Sequence, residues 1–161
     1  IFASYSGYFQ AYTPLKIEWA LKSVAKQINA ENYDSAQNAL EKLLVSDLPA
    51  KYAHQVREHL AETALAITDQ KAKNEDLESV IAYLKSYLSE YGAGKEAEVL
   101  WDRLDYYRLT MGHQLESAKK LQQAVRQYSA IKEDSIYYEE AHKAIRRIWL
   151  AHQQPSSPAA R

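Results

Sequence analysis

The sequence contains no cysteine, and glycine and proline are scarce, with four of each among 161 residues. The absence of cysteine excludes disulfides, zinc–thiolate sites and thiol catalysis together. So few turn-forming residues leave little room for the many turns that an all-β fold requires. The composition therefore favours an all-α protein.

Positive charge is not in surplus either, since 20 lysines and arginines face 21 aspartates and glutamates. Without a basic excess to neutralise a phosphate backbone, we predict no nucleic-acid partner. No apolar run approaches the ~20 residues that a membrane span requires. With 47% hydrophobic and 25% charged residues, the balance is that of a globular chain long enough to build a core.

The two ends of the chain differ in composition from the middle. Residues 1–12 are uncharged and rich in aromatic residues, which gather at membrane interfaces. Two readings stay open: a strap packed on the first helix, or a juxtamembrane segment beside a membrane anchor outside this chain. Residues 153–161 are rich in Pro, Ser and Ala, and we expect them to be disordered. Residues 13–152 between them form the predicted helical domain.

Seven segments of that domain carry apolar residues at three- and four-residue spacing, and each is a predicted helix. Thr13 and Pro14 begin the first helix as N-cap and first helical residue. Asn74 is expected to cap the fourth helix, and Gly92 to end it in a left-handed conformation. Gly112 is expected to end the fifth helix. Short links predict that consecutive helices lie antiparallel, as stacked hairpins.

The second, fourth and sixth predicted helices begin with similar residues. Their leading residues are Tyr33, Leu77 and Leu115, which are 44 and 38 residues apart (77 − 33 and 115 − 77). Both separations exceed the ~34 residues of a standard tetratricopeptide unit. An internal repeat of helix pairs is therefore predicted.

The stretch from Asn32 to Pro49 resembles the second helix of a tetratricopeptide repeat. Tyr33 is its aromatic residue, Ala36 its small residue, and Asp47-Leu48-Pro49 its ending, while Glu31 stands where that family has glycine. The resemblance implies an α–α superhelix of about three helical hairpins plus a C-terminal capping helix. The run from Tyr83 to Gly92 is similar to variant repeats of bacterial cell-envelope lipoproteins. That likeness implies the periplasmic side of a bacterial cell envelope, with the cytoplasm as the alternative.

A stack of this kind leaves a concave groove lined by the first helix of each pair, which can bind an extended or helical peptide. Aligning Trp101 with the family's first-helix aromatic residue predicts four groove residues in one repeat and three in the preceding one. These are Val99, Asp102, Tyr106 and Leu109, and then Glu62, Leu65 and Asp69. Tyrosine beside carboxylates suits a polar or basic peptide. The resemblance thus implies a non-catalytic scaffold or adaptor whose partner is another protein or peptide.

Three other residue pairs have spacings relevant to metal binding or catalysis. Glu139-x-x-His142 has the spacing of half a di-metal carboxylate site, but no second copy accompanies it. His54 with Glu58, and His59 with Glu62, have the spacing of helix-surface pairs. No nucleophile lies near them in the sequence, so we predict no enzyme, metal or cofactor.

Two alternatives remain from the sequence. An all-helical extracytoplasmic sensor domain would bind a small ligand in an enclosed core. The last helix, with Ile145, Ile148 and Trp149, either seals the last hairpin or offers an apolar strip for self-association.

Overall fold

The computed structural model describes residues 14–74 and 76–153, and within them the regular elements are helices without strands. In order they are α1 Pro14–Asn29, α2 Tyr33–Leu44, α3 Ala50–Asn74, α4 Leu77–Tyr91, α5 Glu98–Ser117, α6 Leu121–Ser129 and α7 Tyr138–Gln153. A 3₁₀ turn, Lys95–Ala97, precedes α5. The all-α prediction and its seven helices are therefore confirmed for this part of the chain. The expectations for residues 1–12, for Thr13 and for residues 154–161 lie outside the described residues.

The link before α4 differs from the prediction in one residue. Asn74 is the last residue of α3, and Asp76 is the N-cap of α4. The side-chain oxygen of Asp76 accepts a hydrogen bond from the backbone N–H of Ser79 at 2.8 Å. A carboxylate cap satisfies one of the free amides of the first turn, so Asp76 fixes where α4 begins.

The left-handed cap predicted at Gly92 is wrong. Gly92 has φ −78°, which any residue adopts, although it does follow the end of α4. A Cβ atom at this position would clash with the carbonyl oxygen of Leu88 in α4 and would lie 3.0 Å from the indole of Trp101, whose Nε1 donates to the Gly92 carbonyl at 3.0 Å. Glycine therefore fits the tight end of α4 and the close approach of Trp101 from α5.

The helix end predicted at Gly112 is also wrong, because α5 continues through Gly112 to Ser117. The buried ring of Tyr128, from α6, lies directly on Gly112. A Cβ atom there would be 2.7 Å from ring carbon Cδ1. The predicted start of the sixth helix near Leu115 is displaced with it, since α6 begins at Leu121. Glycine serves helix packing here, whereas the sequence suggested a stop.

The described helices divide into two compact units, with the boundary inside α3 between Asp69 and Gln70. In the first unit α1 and α2 pack together, and Tyr52 of α3 donates a hydrogen bond to Glu18 of α1 at 3.4 Å. In the second unit α4, α5, α6 and α7 pack each on the next. Each unit has its own buried apolar residues. In the first these include Ile17, Val24, Ala36, Leu40, Val56 and Leu60; in the second they include Val80, Leu84, Leu100, Leu104, Ala124 and Ile148.

Once the true helix bounds replace the predicted ones, the repeat is regular. The second helices of the pairs, here called second-type helices, are α2, α4 and α6. They begin at Tyr33, Leu77 and Leu121, 44 residues apart each time (77 − 33 and 121 − 77). The same interval relates buried positions of these helices, namely Ala36, Val80 and Ala124, and then Leu40, Leu84 and Tyr128. The first helices of the pairs, here called first-type helices (α1, α3, α5 and α7), begin at uneven intervals, but buried Val56, Leu100 and Ala144 of α3, α5 and α7 are again 44 residues apart. The period is longer than the ~34 residues of a standard tetratricopeptide unit.

The turn inside the first hairpin recurs 88 residues later in the turn between α5 and α6. Glu31 and Lys119 have positive φ values of 55° and 61°. In both turns the residue after it donates its N–H to a carbonyl five residues back: Asn32 to Gln27 at 2.9 Å and Lys120 to Leu115 at 2.8 Å. This is the Schellman way of ending a helix, which usually places glycine at the left-handed residue. The glycine that the tetratricopeptide pattern has at position 31 therefore coincides with a left-handed residue of this chain.

Candidate partner-binding surface

Three of the four groove residues predicted in the second unit share an exposed face of α5. Val99, Asp102 and Tyr106 are all exposed, and their spacing of three and four residues places them on one side of the helix. Leu109 is different, since only 7% of its side chain is exposed and it packs with Ala124 and other core residues. Leu109 therefore serves mainly in core packing and contributes little to the exposed face of α5.

A groove of about 670 Å³ lies between α5 and α7, and Tyr106 and Leu109 belong to its lining. Thr110 and His113 of α5 continue the lining, and Glu140 of α7 forms the opposite side. Nε2 of His113 lies 3.6 Å from Oε1 of Glu140, so this pair spans the groove. The sequence analysis missed His113 and Glu140, because only the packing of α7 beside α5 brings them together.

The Tyr106 ring is held in place by other aromatic rings although it is 42% exposed. Its centroid lies 5.3 Å from that of Tyr107, edge to face, and 5.9 Å from that of Tyr137. Edge-to-face pairs of this kind are favourable beyond simple burial. An aromatic side chain that is already ordered loses little conformational entropy when it binds a partner.

A hydrogen-bonded cluster at one end of the groove joins three helices. Arg147 of α7 donates to both carboxylate oxygens of Glu116, from Nε at 3.0 Å and from Nη2 at 2.8 Å. The hydroxyl of Tyr128 in α6 donates to the same carboxylate at 3.1 Å. The forked arrangement is the strong form of an arginine–carboxylate pair. Because Arg147 is bound to Glu116, its charge is already compensated.

The pKa values in this cluster follow from these contacts. The hydrogen bond from Arg147 lowers the pKa of the Glu116 carboxyl, partly opposed by desolvation. Burial, followed by the bond to Glu116, raises the pKa of the Tyr128 hydroxyl far above its ordinary value. The bond to Glu116 raises the pKa of Arg147. Around neutral pH the cluster is thus a carboxylate that accepts hydrogen bonds from a neutral phenol on one side and a guanidinium on the other.

The three groove residues predicted in the preceding repeat lie on α3 in the first unit. Glu62 and Asp69 are exposed, whereas Leu65 is half-buried. Oε2 of Glu62 lies 3.0 Å from Nδ1 of His59, one turn earlier. Glu62 and Leu65 precede Tyr106 and Leu109 by one 44-residue period, whereas Asp69 precedes His113 by that period, so the two predicted sets coincide at two positions only.

One buried charge escaped the sequence analysis. The side chain of Asp105 is 2% exposed, and its Oδ1 lies 3.0 Å from Nη1 of Arg108. Arg108 also donates to the carbonyl of Ala130 at 2.7 Å, and the backbone N–H of Lys132 approaches Oδ2 of Asp105 at 3.4 Å. These bonds fasten α5 to the link between α6 and α7. Asp105 is therefore a structural residue, not part of the exposed face.

The residue pairs whose spacings are relevant to metal binding or catalysis lie on exposed helix surface. Glu139 and His142 are both exposed, and the His142 ring stacks on Tyr138 at 5.8 Å. His54 lies 3.3 Å from Glu58, as expected for an i,i+4 pair. Within residues 14–74 and 76–153, no three His, Asp or Glu side chains come together as metal ligands would. The helices of those ranges also lack one with the length and apolar character for crossing a membrane.

Comparisons with known proteins identify no relative of this chain. No protein-family model matches the chain, and neither a curated protein nor a solved structure does. The likeness to tetratricopeptide repeats thus stays an expectation from the residues that carry it. The candidate surface is defined by its own geometry: an exposed face of α5, a preordered tyrosine, and a groove closed on one side by α7.

Proposed function

We propose that this protein is a non-catalytic scaffold or adaptor that binds another protein or a peptide through a helical groove, at the exposed face of α5 and against α7. The proposal extends to a bacterial cell-envelope complex, for which the support is the resemblance of residues 83–92 to envelope repeats. The single observation that carries the binding role is the groove between α5 and α7, with Tyr106 preordered at its side.

The distribution of apolar residues supports a binding role. Along each hairpin the repeated apolar positions are used for packing between helices, as Ala36 and Leu40, or Ala124, illustrate. The exposed face of α5 is left with an aromatic ring flanked by polar groups, and aromatic anchors of this kind dominate binding energies at protein interfaces. A buried catalytic constellation would instead be expected to draw on residues such as Asp105, whose bonds are taken by Arg108 and Lys132.

Charge indicates which kind of peptide suits the groove. Asp102 is exposed one turn before Tyr106, and Glu140 faces Tyr106 from α7. The nearby arginine, Arg147, is neutralised by Glu116. A peptide with a lysine or arginine near an apolar residue would complement this surface, because opposite charges at the rim steer association and set register.

The alternative of a small-ligand sensor calls for a pocket that encloses most of its ligand. The groove between α5 and α7 is open to solvent and does not enclose a ligand, which suits a polypeptide better. The proposed function therefore favours a polypeptide occupant over a small molecule.

Capture of partners by the immobilised chain tests the proposal. The native chain is compared with the double variant Tyr106→Ala/Asp102→Ala and with a matched control, Trp19→Ala/Asp34→Ala, which removes an exposed aromatic and an exposed carboxylate elsewhere. We expect the native and control chains to retain the same protein and the groove variant to lose it. Equal retention by the groove variant would show that the binding face lies elsewhere.

A further inference from the structure

A second groove, between α6 and α7, has a different character from the first. It measures about 340 Å³ and its apolar lining comes from Leu121, Val125, Ile145, Ile148 and Trp149. Trp149 is 62% exposed. Large indole surface open to water is costly, and a contiguous apolar groove with polar edges commonly marks an interaction site.

The repeat shows how the position of Trp149 is used in earlier helix pairs. One period before Trp149 lies Asp105 on α5, and three periods before it lies Ile17 on α1. Ile17 is 0% exposed and Asp105 1% exposed, and their helices pack against the second helices α2 and α6. At both earlier positions, therefore, the residue equivalent to Trp149 is buried on a helix that packs against the second helix of its pair, whereas Trp149 itself is exposed.

We propose that this groove binds an amphipathic helix of a partner protein, which packs on α7 as α2 packs on α1. The second-type helices indicate the chemistry of the occupant: a small residue followed four positions later by a large apolar one, as in Ala36 and Leu40. Arg126 lies at the edge of the groove and favours an acidic side chain on the incoming helix.

A second copy of this chain is a poorer occupant than a different protein. In each described second-type helix the matching apolar residues are already buried, namely Ala36 and Leu40, Val80 and Leu84, Ala124 and Tyr128. A copy could donate one of these helices only by unfolding a hairpin. A helix-in-groove interaction with a separate partner has no such cost.

A synthetic peptide of residues 31–45 is a suitable probe. It contains α2 and carries Ala36 and Leu40 on one face. Fluorescence anisotropy of the labelled peptide is measured against the full chain. A control peptide with Leu40→Asp has the same length without the apolar stripe.

We expect saturable binding of the native peptide to the native chain and no binding of the control peptide. Trp149→Ala and Val125→Asp should each weaken binding at least tenfold, while Trp19→Ala, which removes another exposed tryptophan, should leave it unchanged. Circular dichroism establishes that each variant keeps its helix content. Because Tyr106→Ala leaves this groove intact, it should bind the peptide normally, which separates this proposal from the proposed function.

Two results would overturn the proposal. One is the absence of saturable peptide binding, or equal binding by the Trp149→Ala chain. The other is a dimer in light scattering that becomes a monomer on Trp149→Ala, since a second copy would then be the occupant of the groove.

Discussion

Replacing Gly112 with alanine is expected to destabilise the second unit, although the same change in an ordinary helix stabilises it. Alanine is favoured over glycine in a helix interior by about 1 kcal/mol. Here the new methyl group would come within 2.7 Å of ring carbon Cδ1 of Tyr128, far inside van der Waals contact. Overpacking of a filled core costs about 1–3 kcal/mol.

The sign of the net effect depends on whether the Tyr128 ring can move away. Tyr128 is 1% exposed, and its hydroxyl is held by Glu116, which Arg147 holds in turn. The ring is therefore restrained by the core around it and by the hydrogen bond of its hydroxyl. We expect a net loss of about 1–2 kcal/mol, which corresponds to roughly 2–8 °C in melting temperature for a chain of this size.

The first hairpin offers a built-in control for this reasoning. At the positions equivalent to Gly112 and Tyr128, 88 residues earlier, it has Val24 and Leu40. Both are buried, so a larger residue on the first helix accompanies a smaller one on the second. In a Tyr128→Leu background, Gly112→Ala should therefore be neutral or stabilising by up to ~1 kcal/mol.

Hydrogen exchange at the amides of α5 and α6 is the assay of choice, because it reports the opening free energy of these helices alone. The native chain, Gly112→Ala, Tyr128→Leu and the double variant form a double-mutant cycle, whose coupling energy is expected to favour the double substitution by about 1–3 kcal/mol. If Gly112→Ala by itself stabilised α5 by its full helix-propensity gain, the ring would not fill this space and the packing argument would be refuted.

Lys119→Gly should raise the free energy of unfolding by about 1 kcal/mol, because it relieves a left-handed φ. Lys120→Gly is the control: its φ of −87° is ordinary, so glycine there should lower the free energy of unfolding. Urea unfolding of both chains measures the difference. Asp105→Ala should cost about 3–5 kcal/mol by leaving a buried guanidinium unpaired, and an apolar replacement of the pair should restore much of that loss in the same assay. Glu116 has a lowered pKa, so its pair with Arg147 stabilises the fold above the ordinary pKa of 4.5. That contribution is lost as pH falls through the folded-state pKa, and Glu116→Gln should flatten acid unfolding below pH 4.5. An unchanged acid transition in Glu116→Gln would argue against the pair.

The all-α architecture was accessible from the sequence because helix formation follows a local rule. Apolar residues three and four apart, such as Ile17, Val24 and those of α4, bury one face whatever the partner is. The seven helices and their rough positions were found in this way.

The wrong predictions were those that depended on a contact with another helix. Glycine is a local stop signal, so the sequence predicts that Gly112 ends α5 and that the sixth helix begins near Leu115, six residues early (121 − 115). The ring of Tyr128, which explains that glycine, comes from another helix. Correct bounds were needed before the even 44-residue spacing became visible.

The sequence by itself determined the number of helices in the described residues, their approximate positions and the exposed face of α5 that carries Asp102 and Tyr106. Only the tertiary structure decided that Leu109 is buried, that Glu140 faces His113, and that Trp149 remains open to solvent. Periodicity along one helix specifies which side is apolar. Which of those apolar and polar side chains meet another helix depends on how the helices pack, and that is a property of several distant segments at once.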